Sequence, residues 1–271
     1  MKLLLIAPLL IGASTDQQEA VNTYEVYDRL MEFGETTKSL DIHFTRTVYD
    51  HTFETVTYSK GRLYWESSAH WTFYEEPVEH PAQTQRVRER DYTISTAQSI
   101  CWLRDGNELS EINYAVGKRE IWFREEPDET GIASTIRSMA AIPQMADFNP
   151  YAMTSQMKDG KVRVDLEPTR PIYGTTVLGR SYTQHKPEIS MLLDADTMRP
   201  TTIRMTDNRE STFVIQSEVR NVVPADRDEI LFPCPWLFEA DAAPPVRQTS
   251  EDYRMTFDLL VGVIRLLAPG L

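Results

Sequence analysis

Residues 61–76, GRLYWESSAHWTFYEE, set two aromatic runs on either side of a short polar turn. Successive side chains of a strand point to opposite faces, so Leu63 and Trp65 share one face. Trp71 and Phe73 meet that face from across the turn. The segment therefore reads as a hairpin with an aromatic wall on one side. Two uses of such a wall compete: a close-packed core beneath helices, or the lining of a hollow that accepts an apolar guest.

The alternation continues on both sides of this hairpin. Leu40, Ile42, Phe44, Arg46 and Val48 fall on one side of a strand, and Asp41, His43, Thr45, Thr47 and Tyr49 on the other. Strand patterns follow at 53–58, 62–65, 71–74, 92–96 and 100–103, and the Asp-Gly turn in RDGN leads to strands at 109–114 and 119–123. Strands resume at 162–166, 188–193, 201–205 and 212–219, with DADTMRP and TDNRE as turns. Helical spacing marks 16–33, where Val21, Tyr24, Tyr27, Leu30 and Met31 recur before Gly34. A second helical stretch, IASTIRSMAAIPQMADF at 132–148, is broken or kinked by Pro143. The expected class is α+β, an antiparallel sheet covered by helices.

The ends of the chain differ in character. Lys2, the apolar run from Leu3 to Ile11, and the small residues Gly12, Ala13 and Ser14 read as an export signal spanning 1–14. The competing reading is a buried strand or a retained anchor, although the run is shorter than the roughly 20 residues that span a bilayer as a helix. One domain is expected over 15–235 and a linker over 236–250, containing EADAAPPVRQTS. A helix over 251–271, apolar nearly all round, would follow. That helix would bury itself in the domain, in a partner or in a bilayer interface.

Composition excludes some functions. A formal charge of −13 on 271 residues, with Lys and Arg scattered, is unsuited to a nucleic-acid partner. The chain has no Gly-rich phosphate loop, nucleophile elbow or Cys/His zinc spacing. Asp41 and His43 on one strand face fall short of a metal site, and Asp194 with Asp196 reads as a turn rather than an acid–base pair. His51, His70, His80 and His185 fall in loops or at strand ends, as solvated histidines do. No catalytic residue, metal or cofactor is expected, and the chain reads as non-enzymatic. Cys101 and Cys234, both among bulky apolar neighbours, either form a disulfide after export or stand as buried thiols. Methionines concentrated between 139 and 205 suit an adaptable apolar lining.

The order of these segments resembles a known family. LDIHFTRTVYD is similar to an opening strand of pattern F-T-Q-x-V-x-D, and GRLYWESSAHWTFYEEP to a G-x-L-W…F-x-W hairpin that ends in Pro. The stretch from EISMLLDAD to RDEILF is similar to a closing run of three strands and an Asn-containing loop. Together they resemble the LolA/LolB-like superfamily of periplasmic lipoprotein carriers over roughly residues 20–232. Two departures stand out: Ser67 and Ser68 replace an Arg-Pro pair, and TAQS replaces a Ser-Asp-Gly turn. The resemblance implies a curved antiparallel sheet, an incomplete barrel, covered by helices over an apolar cavity for acyl chains.

With strand parity, it makes Phe44, Val48, Leu63, Trp65, Trp71, Phe73, Ile100, Trp102, Ile189, Met191, Ile203, Met205, Phe213 and Ile215 the candidate lining. The expected function is an exported carrier of lipid or lipoprotein acyl chains in a Gram-negative-type periplasm. The alternative is an envelope interaction module with a filled core, docking a partner protein or membrane through 251–271.

Overall fold

The computed structural model describes residues 21–67, 69–106, 108–113, 117–123, 140–141, 151–169, 172–177, 180–185, 187–206, 209–223 and 246–249. One helix, α1 (Thr23–Thr36), precedes the strands. Asn22 caps it by accepting the Tyr24 N–H at 3.1 Å, and Val26, Leu30 and Phe33, spaced at one helical face, are buried with Met31. The helix passes Gly34, the expected stop, because a helical glycine costs only about 1 kcal/mol. It ends where Thr37 turns extended and donates to the Phe33 carbonyl. The expected start at residue 16 lies outside the described residues.

The strands are β1 (Leu40–Asp50), β2 (Thr55–Ser67), β3 (His70–Pro77), β4 (Thr84–Val87), β5 (Arg90–Thr96), β6 (Ile100–Asp105), β7 (Glu108–Asn113), β8 (Lys118–Phe123), β9 (Ala140–Ala141), β10 (Tyr151–Lys158), β11 (Lys161–Pro168), β12 (Ile172–Val177), β13 (Arg180–His185), β14 (Glu188–Asp194), β15 (Pro200–Thr206), β16 (Arg209–Arg220) and β17 (Val246–Thr249). Among the described residues the main sheet runs β17-β8-β7-β6-β3-β2-β1-β16-β15-β14-β11-β10-β9, with β5 attached to β2 and β4 to β5. β12 and β13 pair only with each other. The sheet is open and antiparallel apart from parallel pairings of β2 with β5, β8 with β17, and β9 with β10.

Several expectations need correction. The runs at 53–58 and 62–65 are one long strand, β2, because Gly61 continues the extended backbone instead of turning it. Within the expected linker, residues 246–249 add a strand beside β8, and within the expected helix at 132–148 Ala140 and Ala141 pair with β10. β10 itself, YAMTSQMK, was not anticipated, because Ala and Met favour helices and mask its alternation. The expected helices at 132–148 and 251–271 otherwise fall outside the described residues.

The pairing of β1 with β16 joins an early strand to a late one in the middle of the sheet. It matches Leu40 with Arg220 at one end and Asp50 with Arg209 at the other, with a bulge between His43 and Phe44. At the β1–β2 turn, burial pushes the Asp50 carboxyl up. The Phe53 and Thr52 N–H groups and Arg209 outweigh this and hold its pKa below the ordinary carboxylate value.

One face of the sheet carries a single apolar cluster reaching from Leu109 on β7 to Met153 on β10, with α1 against it. Those ten strands, at about 4.8 Å per strand, span roughly 43 Å, whereas a helix of this length measures about 21 Å by 10 Å. α1 therefore covers only part of the face. Its anchors fix which part: Thr23 bonds Ser155 on β10, Arg29 donates to the Asp196 carbonyl in the β14–β15 turn, and Arg220 lies over Phe33, 4.3 Å from the ring centre. The helix sits on the β10–β16 half.

Gly61 lies at the centre of the other half. The Phe44 ring rests over it, and an added Cβ would overlap both that ring and the Tyr74 carbonyl oxygen. Backbone oxygen has little room to move, so Gly61→Ala is expected to destabilise the protein by about 1–3 kcal/mol. A urea unfolding midpoint checks this, and an unchanged midpoint would show that the ring does not need the glycine.

Candidate functional site

The register lays out the half beyond the reach of α1 in rows. Leu109, Arg104, Trp71, Trp65 and Leu40 lie side by side on β7, β6, β3, β2 and β1. Trp102, Phe73, Leu63 and Ile42 form the next row, and Ile100, Glu75, Gly61, Phe44 and Ile215 the one after. The last turns polar: Ser59 and Arg46 stand beside Phe213. Phe44 stacks on Phe73 with centroids 5.4 Å apart and meets Phe213 edge-on at 5.4 Å, so one ring ties β1, β3 and β16 together.

Of the fourteen expected lining residues, eleven are buried in the cluster, and Ile100 and Ile215 pack against it partly buried. Val48 is outside it. It has the right parity but lies beyond Arg46, where the face has become polar, and is half-buried. Ile189, Met191, Ile203 and Met205 lie on the half that α1 covers, while the aromatic residues lie on the other.

Charged groups on this face were not anticipated as functional. Arg46 Nη1 donates to Glu75 Oε2 at 2.9 Å, its Nη2 reaches Ser211 Oγ at 3.2 Å, and its guanidinium lies 4.9 Å from the Phe213 centroid. The Ser59 hydroxyl donates to the other Glu75 oxygen. Arg104 is 2% exposed beside Trp71 and Leu109. A cation enclosed among tryptophan and leucine is costly unless satisfied, so its place on this wall is a deliberate feature. The signal was visible: Arg46 and Arg104 share parity with Phe44 and Trp102.

The outer face is not the plain solvated surface that alternation implies. Tyr64, on the face opposite Trp65, is 2% exposed and packs with Leu103 and Val222. Asp41 accepts both Nε and Nη2 of Arg62, at 2.7 and 2.8 Å, and His43 lies 3.9 Å from it, so this carboxylate serves an ion pair. Asp194 accepts the Thr197 N–H and hydroxyl and the Asp196 N–H, which lowers its pKa and fixes a turn. The expectation of solvated histidines fails for His51, which shares a hydrogen bond with Tyr92, and for His70, which lies beside Ser67 and Asp105. Cys101 is buried on this side of β6, and Cys234 lies outside the described residues. A groove of about 460 Å³ crosses the outer face over β10, β11, β14 and β15. Arg163, Asp165 and Ser190 bond one another there, a polar lining unsuited to an acyl chain.

No protein-family model matches the chain, and no curated protein matches it in sequence. Among solved structures it is similar to an uncharacterised conserved protein of Thermus thermophilus, at 10% identity and a TM-score of 0.38, covering 83% of this chain and 98% of that one. It is also similar to a LolA superfamily protein of Nitrosomonas europaea, at 12% identity and a TM-score of 0.33, covering 76% and 97% of the two chains. A third is the lipoprotein LppX of Mycobacterium tuberculosis, at 6% identity and a TM-score of 0.32, covering 76% and 100%. At these scores no residue or role is carried across.

Burial on both faces changes what charge substitutions do. Trp65→Asp and Tyr64→Asp are both expected to destabilise severely, by several kcal/mol, since each buries a carboxylate without a partner. Thr45→Asp, at an exposed outer position of β1, should stay within about 0.5 kcal/mol. Urea denaturation of the three variants checks this, and a mild Tyr64→Asp would show that the outer cluster is loosely held.

Proposed function

We propose that this protein is an exported, non-enzymatic carrier that holds lipid, or the acyl chains of a lipoprotein, against the aromatic half of its sheet. The observation that carries the reading is the mismatch between an apolar face about ten strands wide and a single described helix that lies over only one side of it. A guest with long methylene chains suits the remaining wall. Trp65, Trp71, Phe73 and Trp102 are buried in the structure, and they would give broad, rigid contact area to a guest that displaced what covers them.

Binding of this kind exchanges water or protein contacts for lipid contacts and needs no covalent step. Export rests on the N-terminal pattern, and a periplasmic location on the motif order quoted above. No described helix is long and apolar enough to cross a membrane. In this reading residues 15–235 form the binding domain, and the apolar segment 251–271 docks on the domain, on a partner protein or on a lipid surface.

Native mass spectrometry of the full-length gene product recovered from its own envelope, followed by organic extraction, tests the proposal. The expected result is a reproducible adduct, about one per chain, whose extract contains acyl chains. A mass equal to that of the processed chain alone, from several preparations, would instead support a filled-core interaction module.

A further inference from the structure

We propose that Arg46 is a headgroup-binding residue: its guanidinium takes the oxyanion, phosphate or carboxylate, of an amphiphile whose chain lies along the aromatic wall. This deepens the carrier reading and rests on it. Arg46 stands where the apolar face ends, beside Phe213 and Ser59, with Phe44 and Phe73 in the rows toward the tryptophans. From Ser59 to Trp65 on β2 is roughly 20 Å of extended strand, a length suited to a long acyl chain with its polar end at Arg46.

The hydrogen bonds show which part of the guanidinium is uncommitted. A guanidinium binds a carboxylate or phosphate best through two parallel N–H groups. Arg62 does so with Asp41, through Nε at 2.7 Å and Nη2 at 2.8 Å. Arg46 offers Glu75 only Nη1. Its Nη2 makes a 3.2 Å bond to a serine hydroxyl, and its Nε is buried with no hydrogen-bond partner among the described residues. The Nε–Nη2 edge, the one Arg62 uses, therefore holds no anion in Arg46.

Leaving a buried N–H unsatisfied is costly, and an incoming oxyanion would remove that cost. Glu75, 7% exposed and also bonded by Ser59, holds the far corner of the fork and orients it. Arg46 is partly exposed whereas Arg104 is buried, so it is the more accessible arginine of the two on the wall.

The test is a tryptophan-fluorescence titration of the full chain with three amphiphiles of one chain length, each below its micelle concentration. They are palmitate, palmitoyl lysophosphatidylglycerol and neutral monopalmitoylglycerol. The wild type is expected to bind the two anionic ligands at least about tenfold more tightly than the neutral one. The charge-balanced double variant Arg46→Gln/Glu75→Gln should bring all three within about twofold of one another. Arg46→Lys, which keeps the charge but loses the fork, should give an intermediate preference, and it supplies the readout should the double variant not fold. The order of palmitate and lysophosphatidylglycerol identifies the favoured oxyanion. Equal binding of all three by the wild type, or a preference as large as the wild type's in the double variant or in Arg46→Lys, overturns the proposal. Binding of none of the three overturns the carrier reading, and this proposal with it.

Discussion

The Phe44 ring resting over Gly61 is the contact on which the arrangement of the sheet depends. Phe44 leans across the neighbouring strand at Gly61, where any side chain would overlap its ring. The missing side chain at Gly61 provides the room for it. Phe44 can then stack on Phe73 two strands away while meeting Phe213 on the opposite side. The bulge immediately before Phe44 occurs in the pairing of β1 with β16, which joins the early strands to the late ones. One ring thus links the early meander to the late one, and the two halves of the apolar face meet along it.

Those halves are built differently. The late half is aliphatic and methionine-rich, and α1 is fastened to it at both ends and in the middle, by a hydroxyl pair, a backbone carbonyl and a cation over an aromatic ring. The early half is aromatic and bordered by arginines. Flexible Met and aliphatic side chains pack readily under a helix, whereas flat rigid rings keep their shape when their neighbours change. The two halves differ in composition: one secures the chain's own helix, and the other is walled by rigid, buried rings.

Much of this was legible in the sequence because strand parity is a strict rule. The inner positions of β1, β2, β3, β6, β14, β15 and β16 followed from alternation alone, and Val48 departed only because the face ends at Arg46. Parity says nothing about what covers each face. Tyr64 alternates with Trp65 and lies on the opposite face, yet Leu103 and Val222, distant in sequence, bury it. β10 was hidden by helix-favouring Ala and Met, and the parallel additions β9 and β17 are too short to carry a pattern. Arg46 lay in plain view among Leu40, Ile42 and Phe44, but its importance depends on Glu75 and Ser211, which only the fold brings beside it.

The central claim is that acyl chains lie on the aromatic wall, and Trp65, Trp71 and Trp102, three of the five tryptophans, report on that wall directly. Bromine on an acyl chain quenches tryptophan fluorescence only at short range, so the decisive measurement compares a fatty acid brominated at mid-chain with its unbrominated parent. Saturable quenching by the brominated chain is expected, with none by the parent at equal occupancy. Saturable binding of both without quenching would place the chain elsewhere on the protein and contradict the account.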